Sequence, residues 1–119
     1  MTTARTGHYS DLGAEYLRKA RVHLAEGDLT HASEKGWGAA AVAVKAVAEA
    51  RGLRHEGHRE LWRVLRLLVR ETGDTEMRIH FASAESLHTN FYEAWLEQED
   101  VESYLVEVER LVGKLGGLA

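Results

Sequence analysis

The chain has 119 residues and among them no cysteine and no proline. Without cysteine there can be no disulfide, no thiolate metal ligand and no cysteine nucleophile. Without proline nothing forces an early kink or stop on a helix. Long apolar runs are missing too. The least polar stretch, GWGAAAVAVKAVA, is interrupted by Lys45 and is too short and too alanine-rich to span a bilayer. The N-terminal MTTARTGHYSDLG lacks the apolar segment of a secretion signal. Ser-His-Asp patterning, a glycine-rich phosphate loop and zinc-ligand spacing are likewise absent. These absences lead to the expectation of one cytoplasmic domain without membrane association, without metal and without a bound cofactor, large enough to bury roughly two thirds of its unfolded surface.

What is present is helical periodicity. Glycines at Gly27, Gly52, Gly57, Gly73 and the Gly116-Gly117 pair cut the chain into five helix-length pieces. The first is predicted from Ser10 or Asp11 to Gly27, with residues 1–9 as a poorly ordered tail. Asp28 caps the second, which carries Trp37, Ala40, Val44 and Val47 to about Arg51. Its glycine and alanine content lets another backbone approach closely. The third runs from Arg59 to Thr72, and the fourth from behind Gly73-Asp74 to about Gln98. The fifth follows Asp100 with a stripe of Val101, Leu105, Val108, Leu111 and Leu115. No strand pattern competes. The prediction is an all-α, up-and-down antiparallel bundle of four long helices, with a fifth amphipathic helix packed across it or swapped to a partner. Trp37, Trp62, Phe81, Phe91, Tyr92 and Trp95 are expected to define the core.

Charge is unevenly spread. Arg51 to Arg70 holds six arginines against Glu56 and Glu60, a local +4 in a chain of net charge −4, whereas Glu85 to Glu109 holds eight acids and no lysine or arginine. A mildly acidic total argues against indiscriminate nucleic-acid binding. The two segments could instead meet within or between subunits. Arg59, Arg63, Arg66 and Arg70 recur at spacings of four, three and four and so share one face of the third helix, suited to phosphates or acidic residues and equally to solvent.

Two groups of residues carry chemistry. On the fourth helix Glu85, His88 and Tyr92 line one side, so carboxylate, imidazole and phenol are neighbours. Asn90 points about 200° and Glu93 about 140° away from His88, so those two are expected to cap or contact another element. His88 reads either as a satisfied core histidine or as part of a binding site. A metal reading would need a second Glu-x-x-His, and the chain has none. In RGLRHEGH, Arg51 and His58 are separated by six residues, Arg54 and His55 among them. Histidine to move a proton and arginine to stabilise a phosphorane-like charge suffice for metal-independent RNA cleavage.

With these residues in view, GDLTHASEKGWGAAAVAVKAVAEARG, GHRELW and LHTNFYE together resemble the PaREP family of mostly archaeal small proteins, a branch of the HEPN superfamily. The resemblance spans nearly the whole chain. It implies a HEPN-like bundle, frequent dimerisation, and kinship with RNA-cleaving toxins of toxin–antitoxin pairs and with partners of small nucleotidyltransferases. Active HEPN ribonucleases carry Arg-x4-6-His with a polar residue after the arginine. Here Arg51 and His58 meet the spacing, but Gly52 takes the polar position and the motif falls in a helix connection. The reading is therefore a dimerising module that binds RNA, a nucleotide or a partner protein near His88 and the arginines. A ribonuclease using Arg51 and His58, and a structural partner of a nucleotidyltransferase, are the alternatives.

Overall fold

Five helices follow one another: α1 Thr2–Ala25, α2 Leu29–Ala50, α3 His58–Thr72, α4 Glu76–Glu93 and α5 Gln98–Gly116. The computed structural model describes residues 2–119, with side chains from residue 4 onward. Of the expected N-terminal tail, Met1 lies outside the described residues. The first helix begins at Thr2, ahead of the predicted start at Ser10 or Asp11, because its added turns have α2 to lie against. Thr6 Oγ1 donates to the Ala46 carbonyl at 3.4 Å, and the Arg5 guanidinium is 3.5 Å from the Glu49 carboxylate.

The turn between α1 and α2 is short because Gly27 takes a left-handed φ of 77°, while the Asp28 side chain accepts the backbone N–H of His31 at 3.3 Å. The hairpin this makes is the most closely packed part of the bundle. α2 is central and touches all four other helices. Its small residues are the reason: a Cβ added at Gly36 would stand 2.7 Å from Leu105 Cδ2 and 2.8 Å from Leu87 Cδ1, both in fully buried side chains. α4 and α5 thus close onto α2 at a point where only hydrogen fits.

Within this chain the fifth helix packs onto the bundle. It sits along α1, α2 and α4, burying Val101, Leu105, Val108, Leu111 and Leu115. Arg21 of α1 ties it down, meeting Glu102 at 2.7 Å and both carboxylate oxygens of Glu109 at 2.9 and 2.7 Å. That hydrogen bonding holds the Glu109 carboxyl below the ordinary carboxylate range. The outlying helix is α3, which among the described helices touches only α2 and α4. The connection from Arg51 to Gly57 runs back along it, with the Leu53 N–H bonded to the Ala48 carbonyl at 2.8 Å and His55 buried against Glu49 at 2.7 Å. α3 therefore starts beside Trp37 of α2 and ends with Glu71 against Arg51.

The fourth helix stops earlier than its periodicity suggests. Asn90 is fully buried, donates from Nδ2 to Ser33 Oγ at 3.0 Å, and accepts from the N–H groups of Trp95 and Leu96 at 2.7 and 2.8 Å. These two donors would otherwise continue the helical ladder, and the chain instead turns through Ala94 at a φ of 52°. Trp95, expected in the apolar stripe, is consequently 57% exposed. The aromatic core is corrected in the same way. Phe81 is fully buried, Trp37, Trp62 and Phe91 are half-buried, and Tyr92 lies 72% exposed. Small and aliphatic residues fill the interior, and most of the large rings gather at its edge.

Candidate functional site

The rings gather where α3 meets α2 and α4. Phe81, Glu85, His88 and Tyr92 recur on α4 at four, three and four, so they share a face. His58 and Trp62, four apart on α3, face the same wall, and Trp37 arrives from α2. Trp37 and His58 stack nearly parallel, centroids 4.7 Å apart at 13°. His88 lies 4.8 Å from Trp37 and 5.0 Å from His58, and Tyr92 meets His88 edge-on at 5.5 Å. Behind them Trp62 is T-shaped against Phe81 at 4.7 Å.

Glu85 organises this wall. Its Oε2 accepts from Trp62 Nε1 at 2.8 Å and from His58 Nδ1 at 2.9 Å. The His58 ring is thereby fixed with Nδ1 occupied and Nε2 available, in a side chain that is 49% exposed. His88 is different. Burial first, and the neighbouring His58 second, hold its imidazole below the ordinary histidine range, with Glu85 pulling weakly the other way. The arrangement thus offers a flat aromatic surface, an oriented imidazole and a second imidazole kept neutral. Among the described residues no group of three or more His, Asp or Glu is placed to hold a metal ion.

The arginines of α3 flank the wall. Arg66 lies over the Trp62 ring at 5.5 Å, a cation–π approach. Arg59, Arg63, Arg66 and Arg70 are all exposed, and none forms an ion pair among the described residues, whereas Arg54 is held by Glu60 at 3.1 Å. The stripe has two edges. Arg66 leans to the aromatic wall, while Arg63 and Arg70 border a separate groove floored by Leu53, Val64 and Leu67.

The structure joins some of the residues singled out by sequence and separates others. Glu85, His88 and Tyr92 do share a side, and His58 joins them from α3. Arg51 does not. Its Nη1 is 2.7 and 2.6 Å from the two oxygens of Glu71, thirteen residues of α3 beyond His58 and hence about 20 Å along the helix. Within this chain Arg51 and His58 therefore do not meet. Asn90 spends its amide on Ser33 and the α4–α5 corner and has no access to the wall. Glu93, the last residue of α4, is exposed at the corner. Trp37 and Trp62, read from the sequence as core, are half-buried, packed against the core on one side and lining the wall of rings on the other. The spacing of His58 and Trp62 was the available signal for one of them, and nothing local marks Trp37.

The whole architecture has relatives. A crystal structure of a protein from Sulfolobus solfataricus superimposes with a TM-score of 0.81 at 25% identity, covering 90% of this chain and 95% of that one. No protein of curated function matches. The model of the archaeal PaREP1/PaREP8 family matches residues 8–112, nearly the full run from α1 into the last turns of α5. With the match extending over both the bundle and the wall of rings, the chain belongs to the archaeal PaREP1/PaREP8 family.

Proposed function

We propose that the chain is a non-catalytic RNA-binding module that works as a homodimer, with the wall of Trp37, His58, His88 and Tyr92 taking a base and Arg59 and Arg66 taking the adjoining phosphates. The observation that carries this reading is the near-parallel Trp37–His58 stack beside arginines without acidic partners. Unstacked bases bind to aromatic and imidazole faces, worth about 1–3 kcal/mol per base, and free guanidinium groups neutralise the backbone. Kinship with HEPN domains, which the sequence resemblance implies, agrees with a nucleic-acid role. Anisotropy of a labelled short single-stranded RNA tests it. Affinity should fall with salt, and the slope should become shallower by roughly 0.7 for each phosphate contact removed by Arg59→Gln or Arg66→Gln. Absence of binding at about 50 mM salt, where such contacts are strongest, overturns it. The arginine face would then serve an acidic protein, a nucleotidyltransferase among the candidates the resemblance implies.

One observation favours a second reading, a metal-independent ribonuclease relocated from Arg51 to the wall. His58, oriented by Glu85, stands beside an imidazole that is neutral at ordinary pH. Neutral His88 would accept the proton of a ribose 2′-hydroxyl as that oxygen attacks phosphorus. His58, its Nδ1 held by Glu85, would act as the general acid and give the proton of its Nε2 to the departing 5′-oxygen, leaving a 2′,3′-cyclic phosphate and a 5′-hydroxyl. Cleavage in the presence of EDTA that is lost in both His58→Asn and His88→Gln would establish this reading, and intact RNA after prolonged incubation would dismiss it.

A further inference from the structure

We infer that the groove bordered by Arg63 and Arg70 receives the α4–α5 corner of a second copy of this chain, with Trp95 entering the groove and Glu93 and Glu99 meeting the arginines. This rests on the homodimer part of the preceding reading and on none of its RNA chemistry. The groove has a volume of about 370 Å³ and an apolar lining of Leu53, Val64 and Leu67; beside Arg63 and Arg70 it is also lined by Arg54 and Glu60, whose carboxylate is already paired with Arg54 at 3.1 Å. The matching projection is on the same molecule. Trp95 is 57% exposed and, unlike Trp37 and Trp62, packs against no aromatic ring among the described residues. It is held outward by a fixed corner, since the Trp95 N–H is bonded to buried Asn90 at 2.7 Å. A tryptophan presented on a rigid turn loses little freedom on docking.

Charge agrees with shape. Arg63 and Arg70 are exposed without ion partners, and so, among the described residues, are Glu93 and Glu99, whereas Glu97 and Asp100 are consumed in the capping box of α5. One such corner buries roughly 150–250 Å² of aromatic surface, well short of the ~1,200 Å² a stable association needs. A reciprocal contact, each corner in the other copy's groove about a two-fold axis, doubles that area, and the surfaces flanking the two corners supply the remainder.

The test is a charge exchange read by analytical ultracentrifugation without RNA. The groove variant Arg63→Glu/Arg70→Glu and the corner variant Glu93→Lys/Glu99→Lys should each sediment as monomers at concentrations where the wild type is a dimer. An equimolar mixture of the two should recover the dimer mass, since one interface half is wild type and the other has opposite charges exchanged. Trp95→Ser should weaken association at least tenfold, with circular dichroism confirming that each variant remains folded. A wild type that stays monomeric at several hundred micromolar overturns both the homodimer and this contact. A dimeric wild type whose variants remain dimeric, or whose mixture stays monomeric, overturns the contact alone. Loss of RNA binding bears on neither.

Discussion

Two residues apart on α4, Asn90 and His88 face two different kinds of environment. The inner side, where α4 and α5 close on α2, is dense and complete: Asn90 uses its amide on three partners, Ser33 is bonded to the Leu29 carbonyl at 2.7 Å, and Gly36 leaves no room for a methyl group. The outer side, where α3 leans on α2 and α4, is incomplete. It has an imidazole nitrogen to spare on His58, an exposed phenol on Tyr92 and arginines without acids. Polar groups satisfied inside a core specify one structure, whereas polar groups left open at its edge are available to something else.

Substitutions can break that contrast, and the largest effect should fall on the inner side. Asn90→Ala strands the Trp95 and Leu96 N–H groups and takes a donor from the Ser33 oxygen, which keeps its bond to Leu29, so we expect a loss of about 3 kcal/mol in denaturant unfolding. If Asn90→Ala unfolds like the wild type, the inner side is not the specifying one. Gly36→Ala should cost about 2 kcal/mol by overpacking against Leu87 and Leu105. A cost near zero would show that those side chains can yield. Between the two regions, Arg21→Met removes the bidentate link from α1 to α5 and should cost about 1 kcal/mol, the partial exposure of the pair limiting it.

On the outer side the effects on stability shrink and take the form of pH dependence. The folded state holds His88 below its ordinary pKa, so below about 6.5 the unfolded chain binds a proton that the folded chain refuses. Stability is thus unaffected by this group above that pH and falls as the pH drops through the interval down to the folded value. His88→Gln should flatten that part of the curve in thermal unfolding between pH 7 and 5. An unchanged curve would mean that His88 titrates freely. Glu109 acts lower down: Arg21 depresses its pKa, so its contribution is present above the ordinary carboxylate pKa and is lost as the pH falls toward the folded one. The smallest change in stability, within about 0.5 kcal/mol, is expected for Arg59→Gln and Arg66→Gln, which release no acidic partner, Arg66 giving up only its exposed approach to the Trp62 ring. If those variants are strongly destabilised, the arginine stripe belongs to the fold rather than to a surface waiting for an anion.

Much of the helical layout is legible in the order of the residues. The Asp28 cap, the left-handed Gly27 and Gly73, and the stripe of α5 are local features, decided by φ preferences and by which side chains recur every three or four positions. The same periodicity misjudged the end of α4. Continuing the stripe to Trp95 is reasonable from spacing, but Asn90 competes for the next two backbone donors, and it does so from a position fixed by Ser33 fifty-seven residues earlier. Glu85, His88 and Tyr92 could be grouped from spacing alone because they ride on one helix.

What no local reading could supply is which helix stands across from them. Composition marked α5 as the independent element because its apolar stripe is clean, but apolar stripes are what bundles bury, and α5 is inside. α3 became the outer helix because the connection from Arg51 folds back along it, setting its first turn against Trp37 and its last against Arg51. That one tertiary choice separates Arg51 from His58, brings His58 to Glu85, and turns Trp37 and Trp62 from core residues into a wall. The sequence determined the five helices and the faces they carry, because those depend on neighbours within a turn. The site was decided by the tertiary structure, because stacking and hydrogen bonding between α2, α3 and α4 depend on distances that only packing sets.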